Sequence, residues 1–281
     1  MHGPAIVPGG RRVDLHAHTT FSDGLLSPEA LVARAVDKRL AALAVTDHDT
    51  VEALERARAA AGSHLELVSG IEMSTAFEGA DLHILGYYLN PEHGPLRERL
   101  KVFQTERRER ALAIVDRLRA LGAPVDLDEV LELAGPGVVG RPHVAEALIR
   151  AGLVNDFDEA FERYLGVQAP AYVPRPAFSP AEAIALIHAA DGVSVLAHPG
   201  SQMPDGVIER LHAVGLRGIE VWHPSHGGST VRRYQALAQR LGMLVTGGSD
   251  FHSEHRSLDL GDLPVPITVL DPLKQAAGVT G

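Results

Sequence analysis

The sequence predicts an α/β protein of barrel-like form with an all-helical segment set into it, and three observations carry that prediction. Short runs rich in Val, Ile and Leu alternate with longer helix-like stretches, the pattern of parallel βαβ units. Seven such runs are present, enough to ring a barrel. The alternation then stops between about residues 94 and 176, where the chain reads as helices alone.

In chain order, the expected strands are 13–18, 42–47, 65–71, 81–87, 193–198, 218–222 and 243–248. The expected helices between them are 28–39, 51–61, 180–190, 207–214 and 230–241. Two of these starts are well marked. Ser27-Pro28-Glu29 and Ser179-Pro180-Ala181-Glu182 each put a serine at the N-cap and a proline at the first helical position, where its missing N–H costs nothing. Helices 96–121, 127–133, 142–151 and 157–165 fill the interruption, and the proline-rich stretch 169–176 reads as an extended return linker. A last apolar run, 265–270, is either a closing strand or a packed tail. The expected organisation is a discontinuous barrel, 11–94 and 176–270, with a helical insertion over 95–175 that binds substrate or acts as a lid.

Composition narrows the function. Of 281 residues, 45% are hydrophobic and 22% charged, which is globular and too apolar for a disordered chain. No apolar stretch approaches the ~20 residues that cross a bilayer, and Met1-His2-Gly3-Pro4 lacks the basic start of a secretory signal, so the expected location is cytoplasmic with no membrane partner. The absence of cysteine excludes disulfides, thiolate metal sites and a thiol nucleophile. A net charge of −10 argues against a protein that coats DNA through bulk charge. Fifteen histidines make imidazole placement the central question.

Strand periodicity puts His16 and His18 on one face of the first strand. Asp23 follows in the next loop. The second strand ends in Thr46-Asp47-His48 and the third runs into Glu72; the fourth carries His83. The fifth ends in His198-Pro199, and the last runs into Asp250-Phe251-His252. Every strand but the sixth therefore offers a metal-ligating side chain at or near the end where α/β barrels build their sites. An imidazole and carboxylate set without sulfur suits Mn²⁺, Fe²⁺ or Zn²⁺. Such ions lower the pKa of bound water toward ~7 and clamp both oxygens of an in-line displacement at phosphorus, so phosphate-ester hydrolysis is the natural chemistry.

Together, His16-x-His18, Asp23, Thr46-Asp47-His48, Glu72, His83, His198-Pro199 and Asp250-x-His252 resemble the motifs of the PHP (polymerase and histidinol phosphatase) metallophosphoesterases, in the same order. The resemblance implies a distorted seven-stranded (β/α)7 barrel holding three divalent ions, with Mn²⁺ favoured over Fe²⁺ or Zn²⁺. It implies one metal on His16, His18, Glu72 and Asp250, a second on Glu72, His83 and His198, and a third on Asp23, His48 and His252. An insertion at this place, containing Gly140-Arg141-Pro142-His143, resembles the bacterial subgroup acting on 3′,5′-nucleotide bisphosphates and RNA 5′-ends. That subgroup implies a nucleotide or short RNA as substrate, with Arg141 and His226 as phosphate contacts that also serve catalysis. His223 is a further substrate-binding candidate. The alternatives are a histidinol-phosphate-type phosphatase for small monoesters and a metal-binding scaffold without turnover. The insertion argues against the first, and the complete ligand set against the second.

Helix 96–121 carries eight basic against four acidic residues, either a solvated face or an electrostatic guide for a polyanion. Trp222 is either a base-stacking or a packing residue. His2, His64, His93, His188, His212 and His255 are assigned no role.

Overall fold

The computed structural model describes residues 11–253 and 258–279; His2 and His255 lie outside the described residues. Seven strands form one sheet in chain order, β1 (Val13–Asp14), β2 (Ala42–Val45), β3 (Glu66–Phe77), β4 (Ala80–Tyr87), β5 (Val193–Leu196), β6 (Gly218–Trp222) and β7 (Leu244–Gly247). The sheet curls until its ends meet. Leu15 N donates to Gly247 O at 3.1 Å, and Ala17 bridges Phe251 in parallel, so the barrel is nearly closed between first and last strands.

Neighbouring strands are parallel except at β4, which is antiparallel to both β3 and β5. This departs from the uniform βαβ expectation, and the reason is local. Only Glu78 and Gly79 separate β3 from β4, with φ of 51° and 84°. That is the geometry of a two-residue hairpin turn, whereas a parallel return needs a crossover of a dozen residues or more. The first strand is also shorter than expected. Past Asp14 the chain leaves the regular ladder, because the buried Asp14 carboxylate accepts the backbone N–H of His16 and of Ser249.

Five helices cover the outside: α1 (Pro28–Asp37) and α2 (Leu54–Ala61), then, beyond the helices that follow β4, α7 (Pro180–Ala189), α8 (Asp205–Ala213) and α9 (Gly228–Leu241). The serine caps form as expected. Ser27 Oγ accepts from Ala30 N, and Ser179 exchanges bonds with Glu182 in a capping box. Alternation along β2 sorts the core. Leu43 and Val45 face the helix layer, while Ala42 and Ala44 join Val13, Leu15, Val68, Tyr87 and Val195 in a second cluster. The tail closes that cluster. Arg12 bridges Pro266, and after a short 3₁₀ turn α10 (Leu270–Ala276) buries Leu270 and Leu273 there, so the last apolar run is a packed tail with a single bridge.

Between β4 and α7 lie α3 (Gly94–Ala120), α4 (Leu127–Ala134), α5 (Arg141–Arg150), α6 (Phe157–Ala160) and a π turn, Phe161–Leu165. The long α3 spans two environments. Leu96, Leu100 and Phe103 pack into the barrel's helix-layer core, whereas Ala111, Ile114, Val115 and Leu118 join Val130, Val144, Leu148 and Leu165 in a separate cluster. Among the described residues no helix is long and apolar enough to cross a membrane.

Candidate metal centre

All nine sequence-predicted donors converge at one end of the barrel. His16 and His18 come from the segment after β1, Asp23 from the next loop, and His48 from just beyond β2. Glu72 lies mid-strand in β3, because β3 runs five residues further into the hairpin. His83 sits near the start of β4, and the reversal of that strand is what brings it to the shared end. His198 follows β5; Asp250 and His252 follow β7.

Glu72 is the hub. Its Oε1 lies 2.7 Å from His83 Nδ1 and 2.8 Å from His198 Nε2. Its Oε2 lies 3.2, 3.3 and 3.1 Å from His16 Nε2, His18 Nε2 and His48 Nδ1. Asp250 Oδ1 lies 3.3 Å from His16 Nε2 and 3.1 Å from His18 Nε2, and Asp23 Oδ1 lies 3.3 Å from His252 Nε2. Two ligand atoms each about 2.1 Å from one ion, at near-right angles, stand about 3 Å apart. The spacing therefore fits shared cations. So does the chemistry of two buried ring nitrogens, His48 Nδ1 and His83 Nε2, which have no hydrogen-bond partner among the described residues. His48 Nδ1 reaches Glu72 without the angle a hydrogen bond needs.

Three donor groups come together within single-ion reach: His16, His18, Glu72 and Asp250; His18, Asp23, His48 and His252; and His48, Glu72 and His83. The first matches the expected ligand set. In the third, His48 stands where His198 was expected, since its ring lies between the Glu72 and Asp23 carboxylates and faces two groups at once. His198 pairs with Glu72 Oε1 at 2.8 Å but belongs to none of the three groups.

Electrostatics explains how so many carboxylates share one space. Burial alone raises a carboxyl pKa, yet the imidazoles of His48, His83 and His16 hold Glu72 well below the usual range, and His16 and His252 do the same for Asp250. His18, opposed by burial, is carried up to about 10 by Asp250 and Glu72, whereas burial drives His48 down to about 3. Two donors are also strained. His198 and Asp250 have φ of 22° and 52°, in the left-handed region that non-glycine residues avoid.

The profile of the PHP domain matches residues 14–167, more than half of the chain. The chain belongs to the PHP domain family. It is 37% identical over 264 residues to the 5′-3′ exoribonuclease Rnm of Escherichia coli, covering 88% of this chain and 87% of the relative. It is 35% identical over 248 residues to the 3′,5′-nucleoside bisphosphate phosphatase of Chromobacterium violaceum, covering 86% and 87%. A solved structure from Bifidobacterium adolescentis, assigned to the metal-dependent phosphoesterases, superposes with a TM-score of 0.89 at 30% identity, over 96% of this chain and 98% of that one.

Around the PHP donors, the residues proposed for substrate occupy different places. A cavity of about 90 Å³ is lined by Asp23, His48 and His83 together with Arg107, Arg141, His143 and Arg175. Arg141 donates to Asp81 Oδ2 at 2.9 Å and to Leu165 O at 3.2 Å. His143 Nδ1 accepts the backbone N–H of Gly140. His226 faces elsewhere, with Nδ1 donating to Val221 O and Nε2 accepting from Gly200 N, so both its ring nitrogens are engaged by backbone. His223 Nε2 lies 3.3 Å from Asp250 Oδ2, beside a donor.

Two buried carboxylates, Glu220 and Asp47, were given no role from the sequence. Glu220, fully buried on β6, accepts from His16 Nδ1 at 3.0 Å and from the His198 backbone N–H at 2.8 Å. The signal was a lone carboxylate between Ile219 and Val221, on the strand expected to contribute no metal ligand. Asp47 likewise accepts from Thr19 N, Thr19 Oγ1 and Ser22 Oγ, fixing the loop that presents Asp23.

Proposed function

We propose that this PHP chain is a metal-dependent phosphoesterase that hydrolyses nucleotidic esters: a 3′,5′-bisphosphorylated nucleoside or the 5′-end of a short RNA. The observation that carries the proposal is the shared cavity, lined both by three donors of the metal centre and by Arg107, Arg141 and Arg175 from the segment between β4 and α7. The names of the two curated relatives support the substrate class, since one is an exoribonuclease and the other a nucleoside bisphosphate phosphatase.

The nine donors would hold up to three divalent ions, with Mn²⁺ favoured for an oxygen- and imidazole-rich set. When bound, the ions supply Lewis acidity and an activated water for attack at phosphorus. The chain's own residues do the rest. Arg141, in the lining of the same cavity, presents a planar fork to an equatorial phosphoryl oxygen. Glu220 keeps the His16 proton on Nδ1, leaving Nε2 free to ligate. His223 steadies Asp250, and His226 ties the loop after β5 to the end of β6, a positioning role in place of the direct phosphate contact.

Residues 95–175 serve as an inserted substrate-binding domain, with the first half of α3 rooted in the barrel. A cytoplasmic location goes with this substrate class. Metal analysis coupled to a hydrolysis screen of mononucleotides, 3′,5′-bisphosphates and 5′-phosphorylated oligoribonucleotides tests the proposal. Preference for the last two with bound Mn²⁺ is expected; preference for small monoesters, or no turnover when fully metallated, overturns it.

A further inference from the structure

The loop that presents Asp23 is fixed from two sides. On the barrel side, Asp47 accepts Thr19 N and Ser22 Oγ, each at 2.7 Å, and Thr19 O in turn accepts the backbone N–H of Ser22 and of Gly24 at 3.0 Å. Leu25 N donates to His252 O at 2.8 Å. Gly24 presses on the backbone of His18, where an added Cβ would stand 2.3 Å from the carbonyl oxygen. His18 and His252 are partners of Asp23 in one donor group, together with His48. Displacing the loop therefore disturbs three of these four donors at once.

On its other side the loop meets the turn between α4 and α5. Val138 N donates to Phe21 O at 3.0 Å. Gly137 lies so close that a Cβ placed on it would stand 2.5 Å from Phe21 C, 2.6 Å from Phe21 O and 2.7 Å from Thr20 O. All three are backbone atoms, which cannot swing aside as the end of a side chain would. Gly137 is not among the residues with positive φ, so what demands glycine here is the close approach of two backbones. The turn has no room to retreat. Arg107 Nη1 holds Val139 O at 3.1 Å while its Nε and Nη2 grip Asp49 Oδ2 at 2.8 and 2.6 Å, and Val138 and Val139 are both buried. Asp49 directly follows His48, the fourth donor. The turn is thus braced between the segment of Asp23 and the segment of His48, and its Val138 and Gly140 line the same cavity as those two donors.

We propose that the α4–α5 turn, through Gly137 and the Val138 N–H, is the positioning element of the donor group His18, Asp23, His48 and His252, and so couples the seat of the helical segment on the barrel to occupancy of that group by a divalent ion. The coupling rests on the metal-dependent reading and deepens it, since it gives the helices after β4 a part in building the centre. Gly137 and Val138 act through Asp23 and are positioning residues. By linkage, an ion in the group tightens the seat by the same factor as the seated turn raises the group's affinity. His16, His83 and Asp250 come from other segments, so the ions they help to hold stay in place.

Gly137→Ala in the full chain tests the coupling, with Gly135→Ala as its companion. Gly135 has φ 55° and nothing within 4 Å of an added Cβ, so its alanine variant strains the same segment without pushing on the Asp23 loop. Chelator competition should show one class of bound Mn²⁺ held roughly tenfold or more weakly in Gly137→Ala, the scale of losing a supporting contact. The other ions, and all ions in Gly135→Ala, should stay at the wild-type level. In an Asp23→Asn background, which already weakens that class, Gly137→Ala should bring no further loss. An additive loss, or metal retention equal in every variant, overturns the coupling. If Gly137→Ala does not melt cooperatively, the wild type carries the test: amide exchange in the peptide 136–139 should slow severalfold on Mn²⁺ loading, and exchange indifferent to the ion overturns the coupling. A wild type that binds no divalent ion overturns the metal-dependent reading together with it. Gly137-dependent metal binding without hydrolysis of any nucleotide supports the coupling and overturns the substrate reading alone.

Discussion

Glu220 Oε1 accepts from His16 Nδ1 at 3.0 Å, so the one strand without a donor in the cluster reaches the centre through another strand's imidazole. The same carboxylate holds the backbone of His198, a residue at φ 22°. Such outer carboxylates typically carry 10–100-fold in metal affinity. Glu220→Gln should weaken metal retention roughly tenfold or more, read by competition with a chelator, while the circular dichroism spectrum stays that of the wild type. Unchanged metal affinity would rule out the positioning role.

Glu72 pairs with five imidazoles through two oxygens, whereas His83 pairs with one carboxylate, that of Glu72, among the described residues. Glu72→Gln should therefore lose more metal per chain, and more turnover, than His83→Ala. Metal content after gel filtration, measured beside hydrolysis rates, checks this. Full occupancy with normal turnover in Glu72→Gln would defeat a shared-carboxylate centre.

In the proposed function Arg141, outside the donor set, acts through substrate. Arg141→Ala should cost about 2–4 kcal/mol in kcat/KM for a nucleoside bisphosphate, the scale of losing one preorganised donor, with metal stoichiometry kept. Lysine should rescue only in part, because an ammonium lacks the planar fork. Wild-type kinetics in the alanine variant would assign Arg141 to its Asp81 pair alone.

Away from the site, Asp259 joins the tail to α1 through Arg34 Nε at 2.7 Å and Lys38 Nζ at 2.6 Å. Bonding to Arg34, and then to Lys38, holds this carboxyl down at about 2. A depressed carboxyl stabilises the fold above its unfolded pKa of about 4, and that contribution is lost as pH falls through 2. Asp259→Asn should cost about 1 kcal/mol at neutral pH once solvent screening is allowed for, and the difference should shrink as pH drops from 4 to 2. A gap in melting temperature that persists at pH 2 would show that the pair contributes by packing.

The split of α3 between two clusters bears on where the helical segment between β4 and α7 can be cut. Removing 95–175 takes Leu96, Leu100 and Phe103 out of the barrel core and should abolish cooperative melting. The Arg110 Nε bond to Val173 O shows that the chain's departure and return lie side by side. Replacing 111–172 by a short glycine-serine linker should leave a folded, metal-binding barrel that hydrolyses an aryl phosphate but no longer prefers nucleotides. Retained preference would place recognition in the barrel.

The donors were legible because ligating chemistry stands out at strand ends in an apolar pattern, and the helix starts because serine, proline and glutamate cap in fixed register. Reversal of β4 was not, since the Glu78-Gly79 turn joins runs that were read as separate strands. Arg107 and Arg110 were read as part of a charged helix surface, because partners as distant in sequence as Asp49 and Val173 leave no local trace. Glu220 was hidden for the same reason: its partner His16 lies 204 residues away.

The buried Asp14 carboxylate ties Ser249 and Gly261 to the first strand across 235 and 247 residues. Closing so wide a loop requires the early strand to wait, its apolar faces unsealed, for the last one to be synthesised. Asp250 and His252 arrive with that closing segment. A nascent or prematurely terminated chain would therefore hold an incomplete set of donors, and the hydrolytic centre would come into being only once the ring is shut.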